Sequence, residues 1–493
     1  MKHIPKRILV PGAGFRWVGA ARLAVVFFGF LACFAPHAAL ASDRTAGLLS
    51  TPLEASAFQR LTMEAERSEY LRALTQYPAK RLTVQLQAIG ETVQKRPMEA
   101  LLVQARDPQE DASGVPLRVL LLGGQHGNEV SGSEALLIFA RQWLTRVETD
   151  GSPFAMTLLI VPAVNPDGIA NKRRVNAQGV NLSTDYGLLQ APESTAINRL
   201  LVEFQPHVVL DIHESALLKK KTLGAEGWLT DFEAQFEYAN NPNVNGDLKT
   251  FTSDVLLPAI LKNVESKGLA AHRYFGEITR TDQVVQHGGL SAHNFRNKAG
   301  IHGAVSFLLE NRLDPSIGVY PTPRNIRERV EKQLLAIDAF LSVCQAHAGQ
   351  IVALTESARN SGAQESRKVF LQPEYGILPA QPTIDIALRR LESNEKVMHR
   401  FRYRGEIIAG PVSMAPKRYV FMSHIGFFRQ WLVKQGIPFA EGASPEQAPY
   451  VTAEVNSVNG RFLPLFLEPA SASSILGRLP FDTEDLKVLP DHR

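Results

Sequence analysis

Short apolar runs alternate with helical segments in the middle of the chain. The apolar runs cover residues 119–122, 156–161, 208–212 and 305–309. Residues 133–144 and 324–343 have the three-to-four-residue apolar spacing of helices. Strands that are buried on both faces carry apolar residues at successive positions. The pattern therefore predicts an α/β fold with a mixed, mostly parallel sheet flanked by helices.

The two ends of this region have weaker patterns. Residues 53–74 have helical spacing, and residues 82–104 predict two strands that are broken near residues 94–97. The polar stretch 346–365 predicts a connector, part of it helical. Strand-like segments follow at residues 369–372, 383–388, 406–408 and 419–422. We expect a main domain over residues 42–345 and a smaller C-terminal β or mixed domain over residues 366–493.

The first 41 residues differ from the rest of the chain. They contain five basic residues and no acid, then an apolar run at residues 23–35, then Ala39-Leu40-Ala41. This order is typical of a signal peptide that is cleaved near Ala41, so we expect export to the periplasm or secretion. A retained anchor is the alternative, although the apolar run is short for a membrane span. No later segment reaches spanning length, so no span is expected in the mature chain.

Charge and cysteine content narrow the possible partners. The 493 residues have a formal net charge of +4, and removing the five basic residues of the leader changes it to −1. A near-neutral chain gives no reason to expect a nucleic-acid partner. Of the two cysteines, Cys33 lies in the predicted leader and Cys344 has no second cysteine to pair with. An internal disulfide and a cysteine-based zinc site are therefore not expected.

Polar side chains follow the ends of the predicted strands. His126 and Glu129 come after the first run, and His213 comes at the end of the third. Two imidazoles and one carboxylate leave a fourth position open, so they predict one catalytic zinc ion per chain. Asp211 is expected either to support His213 or to form a structural ion pair. The fourth run ends at Glu310, a carboxylate that is costly to bury without a role or a partner.

These positions belong to five sequence blocks. They are His126-Gly127-Asn128-Glu129, Asn165-Pro166-Asp167-Gly168, residues 174–182, Asp211-Ile212-His213 and Glu310. Together they resemble the zinc carboxypeptidase family, the carboxypeptidase A-like metallopeptidases, over roughly residues 50–345. The resemblance implies that His126, Glu129 and His213 bind zinc, that Glu310 is the general base and that Arg174 polarises the scissile carbonyl. It also implies a metallopeptidase that hydrolyses peptide amide bonds.

One block departs from the family pattern. The family usually has Asp-Leu followed by an Asn-Arg pair that binds the substrate's terminal carboxylate, whereas this chain has Asn181-Leu182 followed by Ser183-Thr184. Neither hydroxyl can replace a bidentate arginine. Candidate substrate-binding residues are therefore Asn181, Arg173 and Arg296, with Arg312 as a further source of charge.

Two other functions fit parts of the pattern. A zinc amidohydrolase of small acylated amino acids, similar to the aspartoacylase and succinylglutamate desuccinylase group, shares the His-x-x-Glu and later His. Such enzymes are typically cytoplasmic, so the predicted export favours a peptide substrate over a small amide. A catalytically silent binding module would normally have lost a ligand or the base, and this chain has all four residues.

Overall fold

A central sheet and its flanking helices occupy the first two thirds of the described chain. A computed structural model describes residues 50–106, 115–150, 156–215, 223–313, 325–361, 368–444, 447–455, 459–482 and 487–491. The predicted leader, residues 1–41, lies outside these ranges. Up to residue 312 the strands are β1 (Leu82–Glu91), β2 (Pro97–Ala105), β3 (Leu117–Gly123), β4 (Met156–Val161), β5 (Val208–Ser215), β6 (Trp228–Thr230), β7 (Ala234–Tyr238), β8 (Ala271–Arg273), β9 (Val284–Gln286) and β10 (Val305–Arg312).

Eight of these strands form the central sheet, in the order β1-β2-β4-β3-β5-β10-β7-β8. The pairs β3–β4, β3–β5, β5–β10 and β7–β8 are parallel, and the other three pairs are antiparallel. The predicted mixed, mostly parallel sheet is confirmed. The four predicted apolar runs are strands β3, β4, β5 and β10, and the predicted break near residues 94–97 is the turn between β1 and β2.

The helices of this region are α1 (Pro52–Ala55), α2 (Glu64–Thr75), α3 (Ser131–Asp150), α4 (Pro166–Ala170), α5 (Pro192–Phe204), α6 (Gly246–Phe251), α7 (Leu257–Ser266), α8 (Phe295–Ile301), α9 (Ile326–Ala346) and α10 (Ala348–Asn360). The helical spacing over residues 53–74 is divided between α1 and α2. Ala57 and Phe58 have φ angles of 52° and 64°, and such left-handed residues end a helix. Much of the predicted connector is α10, which buries Ile351 and Ala358.

Both faces of the sheet are covered, as the apolar runs predict. Along β3, Val119 and Leu121 pack in the cluster that includes side chains of α3 and α9. Leu120 and Leu122 point to the opposite face and pack in the cluster that includes side chains of α5 and α8. Because successive side chains of a strand alternate between faces, a strand between two helix layers is apolar at every position.

The C-terminal part of the described chain combines strands and helices. Its elements are β11 (Lys368–Phe370), β12 (Glu374–Gly376), β13 (Thr383–Arg390), β14 (Lys396–Arg404), β15 (Glu406–Ile408), β16 (Val412–Met414), β17 (Arg418–Phe421), α11 (Ile425–Gln435), β18 (Phe439–Ser444), β19 (Gln447–Glu454), α12 (Phe462–Leu467) and β20 (Val488–Asp491). The prediction of a β or mixed C-terminal region is confirmed as mixed. One four-stranded sheet, β6-β13-β14-β9, contains strands from both sides of residue 366, and the domain boundary there stays a prediction.

The length and composition of the helices bear on whether the chain could cross a membrane. Among the described residues, no single helix is long and apolar enough to do so. Helices α9 and α10 together are long and apolar enough, but they are separated by a bend of 78°.

Candidate metal centre

His126 and Glu129 lie in the turn that follows β3. Asn165, at the start of α4, donates from Nδ2 to the carbonyl of the residue before His126 at 3.2 Å. Gly127 lies directly against Gly168, because a Cβ added at Gly127 would be 1.9 Å from the Gly168 carbonyl carbon. A residue without a side chain is therefore required at position 127. These contacts hold the turn against α4 and direct His126 and Glu129 to one side.

His213 and Glu310 come from the neighbouring strands β5 and β10. They are direct register partners in this parallel pair. Paired residues of adjacent strands extend from the same face of a sheet, so both side chains reach the same side of the carboxyl edge. Asp211 precedes His213 by two residues on β5 and lies on that face as well.

The three predicted ligands converge on a small volume. His126 Nδ1 lies 3.0 Å from each carboxylate oxygen of Glu129. His213 Nδ1 lies 3.0 Å from His126 Nδ1 and 2.8 Å from Glu129 Oε2. One potential ligand atom from each of the three residues lies within 4.8 Å of the others, and all three residues are buried. Among the described residues, this is the group of histidine, cysteine or acidic side chains that could hold a metal ion.

The partners of the outer nitrogens determine which imidazole nitrogens carry protons. His126 Nε2 lies 3.0 Å from Asn181 Oδ1, and His213 Nε2 lies 3.1 Å from Asp211 Oδ1. Both partners are acceptor oxygens, which favour the tautomer that carries its proton on Nε2 and presents the Nδ1 lone pair inward when the imidazole is neutral. Two lone pairs and the carboxylate of Glu129 then face one another. The site is therefore complementary to a cation, and the nitrogen and oxygen donors fit zinc.

Electrostatics in the centre favours positive charge. Burial lowers the pKa of His126. For His213, burial also acts to lower the pKa, but the carboxylates of Asp211 and Glu129 outweigh it and raise the pKa above the ordinary value. For Glu129, burial acts to raise the pKa, and the adjacent imidazoles outweigh it and hold the pKa below its usual range. A metal ion would supply the charge that these carboxylates attract.

Glu310 and Arg174 border a cavity next to these three side chains. The cavity has a volume of about 500 Å³. Burial, followed by the charge of Glu129, raises the pKa of Glu310 to about 8. Glu310 Oε2 is buried and has no hydrogen-bond partner in the described part of the chain. Arg174 Nη1 donates to Glu129 Oε1 at 2.8 Å, while its side chain stays 54% exposed. Both residues can therefore contact a molecule in the cavity.

Asn181 lies behind His126 and not on the cavity wall. Its Oδ1 contacts His126 Nε2, as does Ser183 Oγ at 3.0 Å. The Asn181 side chain is therefore placed to orient an imidazole, and its predicted contact with substrate stays untested. Thr184, at the position of the expected arginine, donates from its exposed hydroxyl to the Asn181 carbonyl at 3.3 Å. Neither Ser183 nor Thr184 lines the cavity.

The other arginine candidates also lie away from the cavity wall. Arg296 is buried in α8, and its Nη2 donates to Asn240 Oδ1 at 3.1 Å and to Gly289 O at 2.8 Å. Arg173 is exposed next to Arg174. Arg312 is buried and donates to a backbone carbonyl of β6. Among the described residues, Arg174 is the arginine that lines the cavity.

Several residues near the site were not predicted from sequence. Gln125 Nε2 donates to Asp211 Oδ2 at 2.7 Å, and Tyr186 OH donates to Gln125 Oε1 at 3.1 Å. Glu214 follows His213 but pairs with Arg329 through two contacts of 2.7 Å. The cavity has a mixed lining, and its apolar side chains are Leu223, Phe232, Phe275, Ile278 and Leu313. These contacts join segments that are far apart in the chain, and no local pattern indicates them.

The fold brings the candidate metal ligands together at one edge of the sheet. An α/β sheet carries two imidazoles and a carboxylate at its carboxyl edge, and a further carboxylate of raised pKa lies beside them. Residues 68–199 match the zinc carboxypeptidase family. The resemblance inferred from the sequence blocks is thus confirmed over residues 68–199, which are similar to a zinc carboxypeptidase domain.

Individual carboxypeptidases are similar to parts of this chain. Carboxypeptidase 2 of Trichophyton rubrum is 28% identical over 215 residues, which cover 41% of this chain and 38% of the relative. Carboxypeptidase 2 of Trichophyton tonsurans is 24% identical over 288 residues, covering 55% of this chain and 51% of the relative. The chain thus spans about half or less of the length of these relatives. A solved metallo-carboxypeptidase from Burkholderia cenocepacia is 17% identical with a TM-score of 0.44, covering 57% of this chain and 69% of that one.

Proposed function

We propose that the protein is a zinc metallopeptidase that hydrolyses peptide amide bonds and binds one zinc ion through His126, Glu129 and His213. The main support is the convergence of two inward-facing Nδ1 atoms and one carboxylate beside Glu310 at a cavity. The family match over residues 68–199 supports the choice of metal and of reaction. The comparisons give no better support to the amidohydrolase alternative.

The residues around the metal position have separate chemical roles in this proposal. A bound zinc ion would supply Lewis-acid chemistry, acidifying water and withdrawing charge from a carbonyl oxygen. Glu310 accepts a proton from water and transfers it to the leaving nitrogen. Its unpaired oxygen faces no competing donor among the described residues.

Arg174 stabilises the negative charge that develops on the substrate carbonyl oxygen. One of its N–H groups donates to Glu129, and its exposed guanidinium has further donors directed toward the cavity. In comparable sites one such donor lowers the barrier by about 3 kcal/mol. Asn181 and Asp211 orient the two imidazoles from behind.

We also propose that a free terminal carboxylate is not a strict requirement for the substrate. The family's arginine is replaced by Thr184, and Arg296 is bound to Asn240 and Gly289. Part of the cavity is lined by apolar side chains, among them Phe232, Phe275 and Ile278, which suit a neutral apolar side chain of the substrate. The substrate is therefore a short peptide with an apolar residue next to the scissile bond.

The assay for this function is hydrolysis of short N-blocked peptides by the purified mature chain. Hydrolysis should be lost on treatment with a chelator and restored by zinc. A protein that contains zinc but cleaves no peptide in a broad panel would contradict the peptidase proposal. Unimpaired cleavage by metal-free protein would contradict the metal proposal.

Export is proposed from the first 41 residues. The basic residues, the apolar run and Ala39-Leu40-Ala41 support a cleaved leader. N-terminal sequencing of protein from its native host should begin at Ser42. Recovery of soluble protein that retains Met1 would contradict the proposal, and a membrane-bound chain that retains Met1 would support the anchor instead.

A further inference from the structure

Helix α11 of the C-terminal region packs against the segment that follows Asn181 and Ser183. Four of its hydrogen bonds reach the backbone of residues 186–189, more than 240 positions earlier in the chain. This segment, which we call the 186–189 segment, contains Tyr186, whose side chain points toward the metal centre. The contact therefore links the C-terminal region to the candidate site.

Gln435, the last residue of α11, makes the central contact. Its Nε2 donates to Tyr186 O at 3.2 Å and to Gly187 O at 2.7 Å. Its Oε1 accepts from Lys298 Nζ at 2.6 Å. Gln435 and Lys298 are 1% and 0% exposed, respectively, so these groups have no water to replace a lost partner. The amide is thus held at both ends.

Other side chains strengthen this attachment. Trp431 Nε1 donates to Gly187 O at 2.9 Å, and Lys434 Nζ donates to Leu189 O at 3.0 Å. On the other side, a Cβ added at Gly187 would lie 2.0 Å from His293 Nδ1. The 186–189 segment is therefore enclosed between α11 and His293 and has little room to move.

From Tyr186 a buried series of polar contacts leads to a metal ligand. Tyr186 OH donates to Gln125 Oε1 at 3.1 Å, and Gln125 Nε2 donates to Asp211 Oδ2 at 2.7 Å. The other oxygen of Asp211 lies 3.1 Å from His213 Nε2. Tyr186, Gln125, Asp211 and His213 are all at most 2% exposed.

The Tyr186 hydroxyl sets the orientation of the Gln125 side-chain amide in this series of contacts. A hydroxyl that donates to Gln125 Oε1 determines which end of the amide faces Tyr186, and therefore turns the Nε2 group toward Asp211. Without this donor Gln125 Oε1 loses this buried partner, and the amide is held less firmly against Asp211. Asp211 would then hold His213 less firmly, and the Nδ1 lone pair would be less well directed at the metal.

We propose that Trp431, Lys434 and Gln435 are positioning residues for the zinc site, acting through Tyr186, Gln125 and Asp211 on His213. The C-terminal region thereby contributes to metal affinity although it supplies no ligand. This inference rests on the proposed zinc site. Its effect is expected on the zinc affinity itself, separate from any effect on folding.

The test compares the zinc dissociation constants of full-length mature variants by competition with a chromophoric chelator, together with the unfolding temperature of each metal-free protein. Gln435→Glu keeps an oxygen for Lys298 and loses the donor to Tyr186 O and Gly187 O. Tyr186→Phe removes only the hydroxyl and preserves the ring packing. Each should raise the zinc dissociation constant about 10-fold, the low end for groups that support a ligand.

Two control variants match these changes. Asn198→Ala removes the hydrogen bond from Asn198 Nδ2 to Lys434 O, another partly buried contact of α11 that does not involve the 186–189 segment. Tyr70→Phe removes a buried hydroxyl that has no hydrogen-bond partner among the described residues. Both should bind zinc like the wild type, even where Asn198→Ala lowers the unfolding temperature.

The outcomes separate this inference from the proposed function. Wild-type affinity in both Gln435→Glu and Tyr186→Phe would overturn the inference while leaving the zinc site intact. Equal weakening in the control variants would also overturn it, because the effect would then follow general stability. A wild type without zinc affinity would overturn the proposed function itself. If Gln435→Glu does not fold, Trp431→Phe takes its place, because it keeps an aromatic ring and removes the donor to Gly187 O.

Discussion

Glu310 and His213 are direct partners in the parallel pair β10–β5, so a predicted base and a predicted metal ligand extend side by side from the same face of the sheet. A shift of one residue in this register would turn Glu310 to the opposite face. The buried strands on both sides of Glu310 prevent such a shift. The distance between these two groups is therefore set by the sheet and not by a loop.

The ligand assignment predicts that His213→Ala loses most of its bound zinc, because two of three protein ligands hold the metal poorly. Zinc content per chain can be measured by mass spectrometry of the purified protein. His207→Asn is the matched control, since His207 is equally buried but lies outside the cluster of potential ligands. Full zinc occupancy in His213→Ala would show that the assignment is wrong.

Glu310→Gln is expected to keep zinc and to lower kcat by about 10²- to 10⁴-fold, the range for losing a general base. The amide has nearly the same shape but cannot accept the proton of water. Zinc content and kcat measured on the same preparation separate the two effects. Loss of zinc in this variant would instead make Glu310 a ligand.

Arg174→Ala should lower kcat/KM by about 10²-fold, because a donor to the developing oxyanion is lost. The neighbouring Arg173→Ala should have little effect, since Arg173 does not line the cavity. The pair is a matched comparison, with the same residue type removed at adjacent positions. Similar losses in both variants would point to a general effect of positive charge near the cavity.

Terminal recognition can be tested with one peptide as its free acid and as its C-terminal amide. We expect kcat/KM values within about 10-fold of each other, because no bidentate arginine stands at the position of Thr184. Thr184→Val should change neither value. A strong preference for the acid that disappears in Thr184→Val would refute this prediction, and one that disappears in Arg296→Ala would identify Arg296 as the anchor.

His207 predicts a pH dependence of stability. It is fully buried, its Nδ1 accepts the Arg118 N–H at 3.0 Å, and burial lowers the pKa of His207 from 6.5 to about 3. Between pH 6.5 and about pH 3 the unfolded chain therefore binds one more proton, at His207, than the folded chain. Above pH 6.5 His207 causes no loss of stability. As the pH falls from 6.5 toward 3, proton binding to His207 in the unfolded chain lowers the free energy of unfolding.

This loss should amount to at most about 1.4 kcal/mol per pH unit in the free energy of unfolding. His207→Asn keeps an acceptor for the Arg118 N–H but cannot be protonated, so its stability should fall less steeply with acid. Denaturant unfolding of both proteins between pH 7 and pH 4 measures the two slopes. Equal slopes would mean that His207 does not contribute.

The sequence by itself determined the four buried strands at the centre of the sheet and the grouping of the candidate metal ligands. Strands between two helix layers are apolar at every position, so strands β3, β4, β5 and β10 could be predicted from continuous apolar segments of the sequence. Polar residues directly after buried strands had to meet, because the carboxyl ends of parallel strands share one edge of the sheet. The shared edge is sufficient to predict that His126, Glu129, His213 and Glu310 lie close together.

Only the tertiary structure decided what surrounds these residues. Asn181 could have faced a substrate as well as an imidazole, and Arg296 could have entered the cavity instead of binding Asn240. Gln435 meets Tyr186 from 249 positions away. Such contacts depend on the packing of distant segments, which leaves no periodic pattern in the chain. A buried polar side chain is directed by whichever partner the fold brings within hydrogen-bond distance, since burial without a partner is too costly.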